Sequence, residues 1–500
     1  MDDPAQPRPK PTRFDEQLFN KIMSDVRSGN PDQVCSGLED LSWMSRGAEP
    51  VLEPLMARME CDGFTLHLLT PEFSHGRTPK DMYNLSGFFL NLAAVSEGCE
   101  ILIDRDVPNK LFDMMSVESA LDPRRRPALE NVLSMVGNIA GEGANAVHGL
   151  IDSGVFDRVV SIFNELVAGL IHVPPSLFNV AAWLLSNVFR FEPRLPYALA
   201  EPLLASLTQA LKTIGSAHKE PLKDLMITVS YVFSGASDGV DWSYLHSSGL
   251  LRRVLDASAE TMVLLPALRL VGEAAAHADP HAAHRICDDS TATWLAQLAS
   301  MPTQLENNVM RNYLHVLAVL ATTGERTRRL FFEYDLFGSQ LNRLAERLRM
   351  RSSAGLLGAA NKAARLIVSL VEAQDERCGP LLLDAGAPKF LAAVLAFPQV
   401  YGAPKDQETV ALAAQGTRLL IELSGIDRDE AFIAGVAPPS NPYFAAFCAA
   451  GGCQAMKVIN SGASESIPHV RDLFKGTIAS IVGTGTDDGD AVYARLAVTL

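Results

Sequence analysis

The sequence predicts an all-α fold built as a solenoid of repeated helical units, and three observations carry that prediction. Apolar residues recur at three- and four-residue spacing, as in Leu199, Leu203, Leu204, Leu207 and Leu211, the period of an amphipathic helix. Alternating β-branched runs and two-residue hairpin turns, the marks of a sheet, are scarce. The helical stretches also repeat. A Gly after a small or acidic residue opens an apolar helix in DSGVFDRVVSIF (152–163), SSGLLRRVLDA (247–257), DAGAPKFLAAVL (384–395) and AAGGCQAMKVI (449–459). RDVPNKLFDMM (105–115) and YDLFGSQLNRL (334–344) read as copies without the Gly. Most copies follow another helix that ends in a polar residue and a turn. Aligning those ends gives anchors at Asn91, Asn138, Asn187, Tyr231, Glu273 and Val319, spaced 47, 49, 44, 42 and 46 residues apart.

That spacing is the range of armadillo and HEAT units, about 40–47 residues with small insertions. The period predicts a superhelical solenoid of such units, and the family resemblance carried by the motifs at 134–274 and 441–482 implies a right-handed superhelical armadillo-repeat solenoid of about ten repeats. Residues 1–13, polar and Pro-rich, form a disordered lead-in; 14–482 form the array; 483–500, opening on GTGTDDGD, form a tail. Composition agrees with a helical core: 48% hydrophobic, 20% charged and only 7% aromatic residues. Lys plus Arg number 43 against 58 Asp plus Glu, a net charge of −15. That balance disfavours a nucleic-acid or anionic-membrane partner, which needs basic surface, and suits a basic one. No run reaches the ~18–20 apolar residues of a membrane span, so no membrane insertion is expected. Seven scattered cysteines imply a reducing compartment and free thiols.

A single unit cannot bury its apolar faces alone, so neighbours stack and equivalent helices line one face. Residues at one repeat position then form a ladder with rungs ~8–10 Å apart. An extended peptide advances ~3.3 Å per residue, so each rung meets every second or third residue. Asn suits such a ladder, because its amide offers both a donor and an acceptor to a peptide backbone.

SMVGNIAGEG (134–143), AWLLSNVFR (182–190), SYVFSG (230–235), LPALRLVGEA (265–274) and the closing stretch 441–482 carry a family resemblance. The chain resembles importin-α (karyopherin-α), the armadillo adaptor for basic nuclear localisation signals. The resemblance implies Trp-x-x-x-Asn on each groove-lining helix, the indole taking a Lys or Arg stem and the Asn the peptide backbone. By it, Asn91, Asn138, Asn187 and Trp183 are retained, with Gly87, Ser134 and Ile227 at the other Trp positions. Glu142 and Asp224 match acidic positions, and Tyr231 matches a Tyr. In the minor groove Arg269 matches, Glu273 replaces the Asn, and His315 and Val319 replace the next Trp–Asn pair. The implied partners are a cargo protein with an extended basic segment, an importin-β-type carrier or a nuclear exporter, in cytoplasm and nucleus. The family's N-terminal basic arm has no counterpart. Residues 1–34 carry Arg8, Lys10, Arg13, Lys21 and Arg27 against Asp2, Asp3, Asp15, Glu16, Asp25 and Asp32. The alternative is an armadillo scaffold in a cytoskeletal or signalling complex without a transport role.

No enzyme, cofactor or metal is expected. GASDG (235–239) matches G-x-S-x-G around Ser237, but a nucleophile elbow needs a strand before its turn. HADPHAAH sets His277, Asp279, His281 and His284 in a polar loop rather than a convergent ligand set. Arg124–Arg126 read as a solvated loop, and the NLS sequon at 84–86 as a match of letters alone.

Overall fold

A computed structural model describes residues 8–455 apart from 62–66, 71–72, 74–76, 116–121, 170–172, 215–217, 235–238, 278–284, 302–306, 338–339, 351–353, 374, 376, 397–403, 423–441 and 453. The chain divides into two units, residues 1–241 with 248–263 and residues 242–247 with 264–500. Among the described residues there is no strand.

In the first unit five helices stack in chain order, each on the next: Pro31–Met44, Pro79–Leu92, Arg126–Gly141, Pro175–Phe189 and Lys219–Val232. They begin 44–49 residues apart, the repeat read in the sequence. A second layer, Val107–Met114, Val155–Ala168, Leu204–Thr213 and Leu250–Thr261, is stacked in the same order. Short helices such as Ser96–Asp104 and Ala144–Asp152 complete the three-helix repeats. In the second unit Leu264–His277, Asn307–Thr323, Ala354–Glu372 and Pro404–Glu422 form the equivalent series of third helices, and Gln340–Met350 packs on Ala387–Ala396. Each unit is thus an armadillo-type stack of the class expected.

Local chemistry starts these helices where they start. Pro31, Pro79, Pro127 and Pro175 stand in the first turns of four third helices, where a fixed φ helps and the missing N–H has no helical acceptor to lose. Thr78 and Asp81 add a capping box: Asp81 N–H donates to Thr78 Oγ1 at 3.2 Å and Thr78 N–H to Asp81 Oδ2 at 2.9 Å. Third helices are apolar on most sides because they touch both neighbours. Arg126–Gly141 buries Leu129, Val132, Leu133, Val136 and Ile139, each at most 1% exposed. Second-layer helices bury one face: Val155–Ala168 hides Phe156, Val159, Phe163 and Leu166 and leaves Asp157 and Glu165 outside.

The glycines that marked the repeats have a backbone reason. Gly154, Gly249, Gly386 and Gly451 take φ of +77°, +73°, +81° and +90° at the turn into the helix, a conformation Gly adopts without steric cost. Of the two copies without Gly, the one at 105–115 puts Asp106 in the same place at φ +55°. Its carboxylate accepts from Asn109 Nδ2 at 2.8 Å, and the same amide donates to Ser153 O of the next repeat at 2.8 Å.

The described thiols Cys35, Cys99, Cys287 and Cys378 are free. Burial pushes Cys99 and Cys287 up to about 12 and Cys378 to about 11, so they stay protonated and unreactive. Cys448 corrects the expectation of free thiols throughout: it is disulfide-bonded, its partner lying outside the described residues. Among the described residues no single helix is long and apolar enough to cross a membrane.

If the left-handed turn sets the angle between the first two helices, Gly154→Ala lowers stability by about 1–2 kcal/mol. Its urea midpoint should fall well below that of Ser161→Ala on the exposed face of the following helix; coincident midpoints would refute the assignment.

Candidate peptide-binding ladder

Burial of the third helices between neighbours leaves a narrow stripe open. In the first unit it runs through the ninth and thirteenth residues of each helix, one turn apart and so on one side. The ninth residues are Glu39, Gly87, Ser134, Trp183 and Ile227; the thirteenth are Trp43, Asn91, Asn138, Asn187 and Tyr231. Asn91, Asn138, Trp183, Asn187 and Tyr231 therefore share one register, to which Trp43, passed over by sequence reasoning, also belongs; Glu142 follows its helix and Asp224 is the sixth residue of its own.

The rungs differ in what they leave free. Asn138 is half-exposed, and its side chain has no hydrogen-bond partner among the described residues. Asn91 donates to Ser45 Oγ at 2.9 Å and Ser42 O at 3.4 Å on the preceding third helix. Asn187 is 3% exposed and donates to Gly137 O at 3.0 Å. These two amides join repeat to repeat, so their donor ends are already engaged.

Trp183 is half-exposed and lies against the neighbouring helix. A Cβ at Gly137 would stand 2.2 Å from its Cζ3 and 2.8 Å from its Cε3. Only a residue without a side chain lets the indole lie there. Glu142 is exposed and accepts from Ser96 Oγ at 2.5 Å. Asp224 is half-buried, and its carboxyl is raised to about 6, by burial first and then by Glu220, against the pull of Lys223 and a hydrogen bond from Ser186.

Tyr231 is covered from within. The Arg194 guanidinium sits 4.4 Å from the ring centroid. It is held there by Glu192 at 2.8 Å and by donation to Arg190 O at 2.6 Å and Phe191 O at 3.2 Å. Arg190 donates to Gly141 O at 3.2 Å. Both arginines follow directly on the Asn187 helix in NVFRFEPRLP, the one signal that could have placed them beside this stripe.

The first rung carries a chain segment. Residues 8–13 of the lead-in expected to be disordered are among the described residues. Arg8 lies over the Trp43 indole, 3.5 Å from its centroid, and pairs with Asp40 at 2.7 Å. Trp43 Nε1–H donates to Pro9 O at 2.9 Å.

The residues matched by resemblance to a minor groove lie in the second unit. Arg269 and Glu273 are half-buried on one helix, and Glu273 approaches His277 at 3.3 Å. Ser237 and the Asp279, His281 and His284 positions fall outside the described residues. Among the described residues no group of three or more His, Cys, Asp or Glu is placed to hold a metal. Asn84 of the sequon is 6% exposed.

With this geometry in view, likenesses to known proteins can be weighed. Over 164 residues, 32% of the chain, it is 26% identical to importin subunit alpha-2 of Arabidopsis thaliana, and the match spans 28% of that protein's length. No family model matches. An engineered protein of known crystal structure aligns over 94% of this chain and all of its own, with a TM-score of 0.66 and 14% identity. A chain from structural work on a phosphorylation switch in the cadherin–β-catenin interaction aligns over 94% of this chain and 84% of its own, with a TM-score of 0.61 and 12% identity. At those identities the structural likeness establishes the fold. The class of protein is an armadillo-type helical repeat with a distant importin-α likeness over a third of its length.

Two outcomes follow from the site. Gly137→Ala should cost about 1–3 kcal/mol by crowding Trp183, and the cost should nearly vanish in a Trp183→Ala background. Equal costs in both backgrounds would show that the indole does not rest there. Burial holds the folded Asp224 carboxyl up at about 6, against its ordinary 3.8, so its stabilising share is whole below pH ~4 and is lost as pH rises through 6. Asp224→Asn should therefore be more stable than wild type by roughly 1–3 kcal/mol at pH 7.5 and indistinguishable at pH 4. Parallel thermal curves at the two pH values would contradict this.

Proposed function

We propose that the first unit binds an extended basic segment of a partner protein along its third-helix stripe. On this reading the chain is an importin-α-like nuclear import adaptor, shared between cytoplasm and nucleus. The observation that carries the reading is Arg8–Pro9 on Trp43 and Asp40. There an arginine stacks on an indole, a carboxylate neutralises it, and a polar N–H from the rung takes a carbonyl of the segment. These are the interactions a basic peptide needs. Trp183 offers the same indole further along, Asn138 an uncommitted amide, and Glu142 and Asp224 the charge. The likeness to an importin-α subunit supports the same reading.

The proposal limits its own affinity. Gly87 and Ser134 supply no indole, Asn187 donates inward, and Arg194 occupies Tyr231. Recognition would concentrate on the stretch from Asn138 to Trp183 and favour a short segment. A carrier of importin-β type or a nuclear exporter would complete a transport cycle. The scaffold reading draws on a different observation: residues 1–34 hold five basic against six acidic side chains, and Arg8 is engaged on its own chain. Affinity purification recovering carrier or pore components supports the adaptor; recovery of one structural complex without them supports the scaffold.

The direct test is fluorescence anisotropy of the full chain with a labelled Lys/Arg-rich 12-mer. Trp183→Ala should weaken binding about 3- to 30-fold, the worth of one cation–π slot, and Glu142→Gln should weaken it further. Affinity unchanged by both substitutions would overturn the proposal.

A further inference from the structure

In the second unit the third-helix surface changes sign. Helices Asn307–Thr323 and Ala354–Glu372 pack side by side. Arg311 and His315, one turn apart, are exposed on the first; Lys362 is half-buried and Arg365 exposed on the second. The Arg311 stem lies over Gly358, where a Cβ would stand 3.2 Å from its Cδ, so the guanidinium reaches across to the next helix. The four groups feel one another. Burial first, then Lys362, Arg365 and Arg311, hold the His315 imidazole below its usual range. Burial and then Arg365 hold Lys362 down, with Arg311 adding to them and Glu408 opposing. Arg365 pairs with Glu408 from the following third helix. Among the described residues Arg311 and Lys362 have no ion-pair partner.

Acidic residues outnumber basic ones in this chain by 58 to 43. Three cations and a histidine gathered around one carboxylate, Glu408, therefore do not follow from composition. Like charges in excess of their counter-ions repel, and a complementary anion would relieve that repulsion.

We propose that Arg311, His315, Lys362 and Arg365 form a second docking surface, whose occupant is an extended, carboxylate-rich segment of a partner protein. Rungs ~8–10 Å apart meet an extended chain at every second or third residue, so Asp or Glu at that spacing would face successive cations. Glu408 acts as the internal competitor, holding Arg365 until a partner's carboxylate replaces it. The net charge of −15 repels any polyanion, and it weighs more against a nucleic acid, with a phosphate every ~3.4 Å of strand, than against an extended segment with a carboxylate every second or third residue. The inference uses a different unit and different residues from the basic-segment reading and stands independently of it.

The test is anisotropy of the full chain with three labelled probes: a 12-residue peptide with Glu at every second or third position, its Gln isostere, and a dT 12-mer. The Glu peptide should bind and the isostere should not. Arg311→Glu with Lys362→Glu should weaken the Glu peptide at least about 10-fold, and Glu408→Gln should tighten it by freeing Arg365. Arg311→Gln with Lys362→Gln, checked for helicity by circular dichroism, gives the same direction with less perturbation of folding. Equal binding of the isostere, no loss in either double variant, or tighter binding of the oligonucleotide than of the Glu peptide would overturn the proposal.

Discussion

Within each unit the third helices pack one on the next in chain order, and the rest of the structure depends on that contact. A helix pressed between two neighbours is apolar nearly all round, as Leu129, Val132, Leu133, Val136 and Ile139 show. It keeps only a stripe of surface one or two side chains wide. Close approach also sets terms for what the stripe can hold. Gly137 has no Cβ to hold off the Trp183 ring, and the Asn187 amide donates to the carbonyl of that same glycine. One glycine thus serves as floor for an indole and as acceptor for the neighbouring rung.

The same contact divides the stripe into residues that join repeats and residues that face outward. Asn91 and Asn187 belong to the first group, each donating to a helix almost fifty residues earlier. Asn138 remains outward, Glu142 is exposed yet accepts from Ser96, 46 residues earlier, and Trp183 does both, packing against Gly137 and leaving part of the ring open. A buried amide that kept its donor free for a visiting peptide would forfeit about 1–3 kcal/mol whenever the peptide was absent. That cost accounts for the internal commitment of the buried Asn187. Charge follows a separate logic: carboxylates stand beside the indoles in the first unit, and arginines, a lysine and a histidine gather on the corresponding helices of the second.

Much of this was legible in the sequence. The helical period, the repeat length and the marking glycines are local properties, and the structure gives them a local cause in left-handed backbone at Gly154, Gly249 and Gly386. One of the two copies without the glycine, 105–115, keeps the conformation at Asp106. The shared register of Asn91, Asn138, Trp183 and Asn187 was legible for the same reason, since register is spacing. Their availability was not. Whether Asn187 faces a peptide or Gly137, and whether Tyr231 is open or covered by Arg194, depends on atoms some 37–50 residues away in the chain and on the course of the 190–196 loop. Trp43 was missed because its helix, preceding the family motifs, carries no Asn at the matching position. Its role shows only when Arg8 and Pro9 are seen on it.

The central claim is that the stripe on the third helices of the first unit is the face that receives a basic segment. Photo-crosslinking tests it most directly: a Lys/Arg-rich peptide with a benzophenone side chain, bound to the full chain, then mapped by mass spectrometry. Crosslinks concentrated in 134–142 and 183–187 are the predicted result. Crosslinks concentrated on the second-layer helices Val155–Ala168 and Leu204–Thr213 would contradict the account.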